Sequence, residues 1–204
     1  MKIDYRPEID GLRALAVISV LIYHAKIKID GYYILSGGFI GVDIFFVISG
    51  YLITSIIYKE ISANNSFSFK NFYQRRIRRI IPPLFFVMLA SFPFAYFFLL
   101  PSDFIDFSKS ILFSIGFVSN YFFYLSEMEY GANSSLLLPF LHTWSLSIEE
   151  QFYIFFPLVF FLIYKFLKKY KFIFFCLLLL SSLFLTIIFS YENSLKNFYL
   201  IQTR

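Results

Sequence analysis

The chain has 204 residues, of which 59% are hydrophobic, 24% aromatic and only 15% charged, with a mean hydropathy of +0.70. This composition lies far outside the range of a soluble domain and defines an integral membrane protein. The net charge of +5 does not point to nucleic acid, because the basic residues sit in short clusters between apolar runs, where the positive-inside rule expects them.

Counted against the roughly 20 residues that a helical span needs, six segments qualify: 12–29, 39–58, 80–100, 110–126, 143–164 and 172–191. The first has an uninterrupted apolar stretch from Ala14 to Ala25 that contains His24 and is then broken by Lys26, Lys28 and Asp30. It has the length of a signal-peptide core, but Asp4, Glu8 and Asp10 leave its front poorly basic and no small-x-small cleavage site follows. On one helix Asp10, Arg13 and His24 fall in a narrow stripe, with His24 about 16 Å from Arg13. A neutral imidazole is a natural general base for a hydroxyl proton. The plainer reading is a histidine satisfied by a neighbouring carbonyl inside a bundle.

The second segment opens with Gly37-Gly38-Phe39-Ile40-Gly41-Val42-Asp43. Small residues there permit close helix approach, and Asp43 is an acid at a membrane boundary, either paired with an arginine or directly functional. Next comes Phe72-Tyr73-Gln74-Arg75-Arg76-Ile77-Arg78-Arg79, four guanidinium groups ahead of a span that opens on Pro82. Such groups suit phosphates and equally suit anionic lipid heads. The cluster from Lys59 to Arg79 is expected in the cytoplasm, which puts the N-terminus there too. If every later segment spans, Lys165, Lys168, Lys169 and Lys171 emerge on the outer side. Either 110–126 is re-entrant or that lysine cluster breaks the rule.

The fifth segment begins within Pro139-Phe-Leu-His142-Thr-Trp144-Ser145-Leu-Ser147-Ile-Glu149-Glu150-Gln151-Phe-Tyr153. As a helix it places His142, Ser145 and Glu149 on one face, a candidate polar seam whose bland alternative is a polar bundle interior. Asn64-Asn65-Ser66 and Asn133-Ser134-Ser135 read as turns. Nothing repeats at a fixed period and no linker divides the chain, so it reads as one domain. Cys176 is the single cysteine and lies in an apolar run, as a small core hydrophobe. Two histidines on separate segments and scattered acids make no metal-ligand set.

Tyr5-Arg-Pro-Glu-Ile-Asp-Gly-Leu-Arg-Ala14 with the later Tyr23-His24-Ala25, the run from Gly37 to Thr54, Phe72 to Pro82, and Leu141 to Tyr153 together resemble, in order and spelling, the acyltransferase-3 family of membrane acyltransferases. The resemblance covers the chain from Tyr5 to its end. It implies an all-α membrane bundle of about five to six transmembrane helices, the first half of a roughly ten-helix domain, with the chain apparently truncated at its C-terminus. It further implies transfer of an acyl group, most often acetyl, from cytosolic acyl-CoA to a hydroxyl of an extracytoplasmic carbohydrate such as lipopolysaccharide O-antigen, peptidoglycan or exopolysaccharide, at a bacterial inner membrane.

By that resemblance His24 matches the family's essential histidine and Arg13 the arginine before it. Arg76 and Arg79 match the paired arginines implicated in acyl-CoA handling, with Arg75 beside them, and Glu149 and Glu150 match the acidic pair. Asp10, Asp43, His142, Trp144 and Ser145 are the remaining polar site candidates. No permanently bound cofactor is implied; acyl-CoA is a co-substrate. The partners are the carbohydrate acceptor and the lipid bilayer, and a soluble SGNH hydrolase-like domain often follows this membrane domain. The expected chemistry has His24 deprotonate the acceptor hydroxyl or relay the acyl group, Glu149 or Glu150 assist, and Arg13 or a backbone donor stabilise the oxyanion. Direct transfer and a covalent intermediate both fit. A proton-coupled transporter or scaffold, or an inactive remnant, are the competing readings.

Overall fold

A computed structural model describes residues 6–128, 138–167, 169–192 and 194–203, which form two compact units divided after Phe67. The expected turn at Asn133-Ser134-Ser135 lies outside the described residues. Apart from one short hairpin and a final 3-10 turn, the elements are helices, as an all-α membrane protein requires.

The first unit is a helical hairpin. Helix α1 (Pro7–Ala25) starts on a proline whose missing N–H costs nothing at that position, carries Glu8 and Asp10 in its first turn, and stops where Lys26 turns left-handed at φ 49°. The first expected segment therefore ends at Ala25, four residues early: Lys28–Ile29 (β1) and Tyr32–Tyr33 (β2) pair as an antiparallel ribbon. Asp30 and Gly31, at φ 50° and 84°, make the two-residue turn whose twist suits such a ribbon. Helix α2 (Ile40–Asn64) then runs to Asn65, a left-handed cap at φ 50°, where a turn was expected.

In this unit the helices meet through two glycines. A Cβ on Gly38 would come within 2.3 Å of the Ser19 carbonyl oxygen, and one on Gly41 within 2.5 Å of the Ala16 carbonyl oxygen. Both distances are impossible for a real side chain, so these positions let one backbone lie directly on the other.

The second unit begins with α3 (Phe69–Phe98), capped by Ser68, whose hydroxyl accepts from the Asn71 N–H at 3.4 Å. The arginine cluster lies inside this helix rather than in a loop, and Pro82, Pro83 and Pro93 are accommodated within it. Next come α4 (Pro101–Ile115) and α5 (Ser119–Met128), then α6 (Thr143–Phe166), α7 (Lys171–Glu192), α8 (Ser194–Tyr199) and a 3-10 turn at Ile201–Thr203. Four described helices, α2, α3, α6 and α7, are long and apolar enough to cross a membrane. Helix α1 has 19 residues but carries Glu8, Asp10 and Arg13 in its first half.

Segment 110–126 is not a single span. It breaks at Gly116–Val118, where Phe117 sits at φ 53°, giving helices of 15 and 10 residues. Near the end of α3, Phe92 and Tyr96 pack on Phe104 of α4, and Phe107 packs on Phe140 just before α6. The Phe117 carbonyl then reaches Gln151 in mid-α6, and α5 returns until Glu127 meets Tyr199, which packs on Trp144 in the first turn of α6. The α4–α5 pair thus enters and leaves at the same end of the unit, as a re-entrant hairpin.

Helices α3 and α6 are antiparallel. Phe69 packs on Phe161, the Tyr73 hydroxyl donates to the Ile154 carbonyl at 2.8 Å, and Arg76 lies over Tyr153. The start of α3 and the end of α6 therefore share one end of the unit. Lys165, Lys169 and Lys171 therefore lie toward the side from which α3 starts, which removes the apparent conflict with the positive-inside rule, while Arg76 sits further along, level with Tyr153 in mid-α6.

Candidate functional site

In the first unit, His24 is exposed in the last turn of α1, with its Nδ1 2.9 Å from the Val20 carbonyl oxygen one turn earlier. A carbonyl only accepts, so Nδ1 holds the proton of the neutral ring and Nε2 carries a free lone pair. The carbonyl contact fixes the tautomer that a base needs, so the plain and the functional readings of this histidine coexist. Tyr23 stands edge-on to the imidazole at 5.2 Å and to Phe39 at 5.8 Å. Because Gly38 also lies against Tyr23, the close approach of the two helices buttresses the residue beside His24.

Arg13 pairs with Asp10 at 3.2 Å, one turn apart on α1. The helix is continuous to Ala25, so Arg13 stays about 16 Å from His24. Asp43 is half-buried in the first turn of α2, where the helix dipole favours a carboxylate.

In the second unit, the conspicuous constellation joins α3 to α6. The Arg76 guanidinium lies 4.7 Å from the centre of the Tyr153 ring and 5.7 Å from that of Phe72, and is within electrostatic reach of Glu150 and Glu149. Tyr153 is buried, and its hydroxyl donates to Glu149 Oε1 one turn earlier. Glu150 is buried too, and its Oε1 accepts no hydrogen bond from the described residues. Arg75, Arg78 and Arg79 are exposed along α3. Among the described residues no group of acids, histidines and cysteine could hold a metal ion.

The expected seam of His142, Ser145 and Glu149 is not the buried polar one. His142 is exposed near Phe140, and the Ser145 hydroxyl donates to the His142 carbonyl at 3.0 Å, a bond within its own turn. Trp144 is buried against Phe198 and Tyr199, with ring centres at 4.5 and 5.9 Å, and anchors α8.

The buried seam consists of Thr143, Ser147 and Gln151, spaced by four along α6. Thr143 Oγ1 lies 2.7 Å from Ser114 Oγ and 3.0 Å from Ser119 Oγ, and Ser119 Oγ lies 2.7 Å from Ser147 Oγ. Gln151 Nε2 donates to the Phe117 carbonyl at 2.8 Å and to Asn120 Oδ1 at 2.9 Å, and Asn120 Nδ2 donates to the Tyr199 carbonyl at 3.0 Å. The Tyr199 hydroxyl closes the chain on Glu127 at 2.9 Å, and burial, with the Glu127 carboxylate beside it, pushes that phenol well above its ordinary pKa. This network satisfies its own members and fastens the re-entrant hairpin.

The helical hairpin with its exposed histidine and the arginine seated on Tyr153 belong to a polytopic helical protein. The acyltransferase-3 family model, described as an acyltransferase domain, matches residues 6–203, and the chain belongs to that family. Among its relatives is the O-acetyltransferase OatA of Staphylococcus aureus strain NCTC 8325, 42% identical over 79% of this chain and 26% of the relative. The putative O-acetyltransferase SAS0844 of S. aureus strain MSSA476 is 41% identical over 83% of this chain and 27% of its own length. The chain thus spans about a quarter of the relatives it matches. No solved structure matches it.

Proposed function

We propose that this chain carries part of a membrane O-acyltransferase that moves an acetyl group from acyl-CoA on the cytosolic side to a hydroxyl of an extracytoplasmic carbohydrate, such as lipopolysaccharide O-antigen, peptidoglycan or exopolysaccharide. The observation that carries this reading is His24, whose Nδ1–H is held by the Val20 carbonyl so that Nε2 can take a proton. The names of the relatives support O-acetylation as the reaction. The basic residues at the start of α3 and past the end of α6 support a cytoplasmic donor side, and Lys2, Arg6 and Arg13 ahead of the first apolar run support a cytoplasmic N-terminus.

In this reaction the acceptor hydroxyl gives its proton to His24 Nε2 as its oxygen bonds to the thioester carbonyl carbon. The carbon–sulfur bond then breaks, and the coenzyme A thiolate takes the proton back from the imidazolium. The exposed guanidinium groups of α3 hold the donor phosphates. Glu149 and Glu150 supply the acidic charge near the arginines. In membranes holding the intact gene product, labelled acetyl-CoA should label the glycan, and His24→Ala should lower the rate by at least about 100-fold with unchanged protein level. Full labelling by His24→Ala would remove the histidine from the reaction.

A further inference from the structure

We propose that Arg76 does not bind the acyl donor: with Tyr153 it positions Glu149, and within the Arg-x-x-Arg pair phosphate recognition falls to Arg79. This inference rests on the acyl-CoA reading above and divides the labour of two arginines that the motif treats alike.

The two side chains, one turn apart on α3, have different surroundings. Arg76 is half-buried, and its guanidinium has two aromatic seats: Tyr153 at 4.7 Å and Phe72 at 5.7 Å, the latter ring 1% exposed. Glu150 and Glu149 lie within its electrostatic reach. A guanidinium held between ring faces has its planar surfaces already engaged, and a phosphate could bind it only by drawing it off both rings. Arg79 also lies in the field of Glu150, but it is exposed and next to exposed Arg75 and Arg78. That is the solvated, multiply cationic surface a pyrophosphate and a 3′-phosphate need.

Tyr153 links the arginine to the acid. Its ring is the closer seat of Arg76, and its hydroxyl donates to Glu149 Oε1. One residue on, the Ile154 carbonyl takes the Tyr73 hydroxyl at 2.8 Å, so α3 is tied to α6 beside this contact. The acidic pair is thereby split. Glu149 is fastened, while Glu150 Oε1, buried and without a hydrogen bond from the described residues, stays open.

The test compares three conservative variants of the intact gene product in native membranes, with acetyl-CoA as the titrated substrate. Arg79→Lys should raise KM for acetyl-CoA about tenfold with kcat within about twofold, whereas Arg76→Lys and Tyr153→Phe should lower kcat about tenfold with KM within about twofold. Tyr153→Phe keeps the ring under Arg76 and removes only the hydroxyl, so it separates positioning from packing. A KM that rises in Arg76→Lys as it does in Arg79→Lys, or an unaltered kcat in Tyr153→Phe, overturns the proposal.

A stability cycle in nanodiscs on Arg76→Gln and Tyr153→Leu gives a second readout that needs no turnover. The two changes should be non-additive, and strict additivity would remove the aromatic seat and the proposal with it. Were wild-type protein to transfer no acyl group from acetyl-CoA, the functional reading would fall, and the cycle would still decide whether Arg76 is seated on Tyr153.

Discussion

Helices α6 and α7 are neighbours of similar length in the second unit, and both could cross a membrane. In the most apolar 18-residue stretch of α6, 44% of positions are buried; in that of α7, the most hydropathic of the four candidate spans, none is. The helix least suited to lipid by composition is the one the unit is built around. Thr143, Ser147 and Gln151 on one side of α6 hold the re-entrant hairpin, while Glu149 and Tyr153 on another meet the arginine of α3. Helix α7 offers leucine and phenylalanine outward and keeps Phe175 for its contact with Phe156 and Phe160. Hydropathy therefore locates the bilayer, and its interruptions locate the packing and the chemistry, since a polar group in hydrocarbon persists only where a partner satisfies it.

The largest expected effect lies at the aromatic anchor of α6. Trp144→Ala removes the indole wedged against Phe198 and Tyr199 and should cost about 3 kcal/mol, read as a lowered thermal unfolding midpoint in nanodiscs. A loss under about 1 kcal/mol would mean that α8 is held by its hydrogen bonds alone. Next comes the seam: Gln151→Leu keeps the volume but strands the Phe117 carbonyl and Asn120 Oδ1, both of which need the lost donor. The expected cost is about 2 kcal/mol, with earlier proteolysis at the 116–118 turn as an independent readout. If the turn stays protected, the Thr143 and Ser147 contacts with Ser114 and Ser119 are enough to hold the hairpin on α6.

Much of the architecture was readable before any coordinates. The long apolar runs over Ile40–Asn64, Phe69–Phe98, Thr143–Phe166 and Lys171–Glu192 are helices because nothing else buries that much backbone polarity in lipid. The small residues opening the second segment were recognisable as a close-approach surface, and Gly38 and Gly41 are the ones that make it. The rest was left open or unseen for physical reasons. Segment 110–126 has the composition of a span, and whether it spans or re-enters stayed undecided because its break at Phe117 carries no glycine or proline at the left-handed residue, only a carbonyl fixed from afar by Gln151. His142, Ser145 and Glu149 stood out as a candidate seam because a histidine and an acid are conspicuous in an apolar run. The quieter Thr143, Ser147 and Gln151, at four-residue spacing, are the buried set, and that spacing was the available signal. Tyr153 was passed over as one more aromatic, since only a fold that brings α3 beside α6 gives it an arginine and a carboxylate to join.

The smallest expected effect is the most diagnostic of the difference between the two helices. Leu179 is mid-α7 and 60% exposed, so Leu179→Ala removes methyl groups that touch little of the described protein. Lipid tails are as apolar as leucine and flow into the space, leaving only a small loss of dispersion contacts. Unfolding in nanodiscs should change by no more than about 0.5 kcal/mol. A loss above about 2 kcal/mol would be the cost of a cavity, which lipid does not allow and packed protein does. In that event α7 meets further protein in the membrane, and its exposed leucines are a packing surface rather than a lipid-facing one.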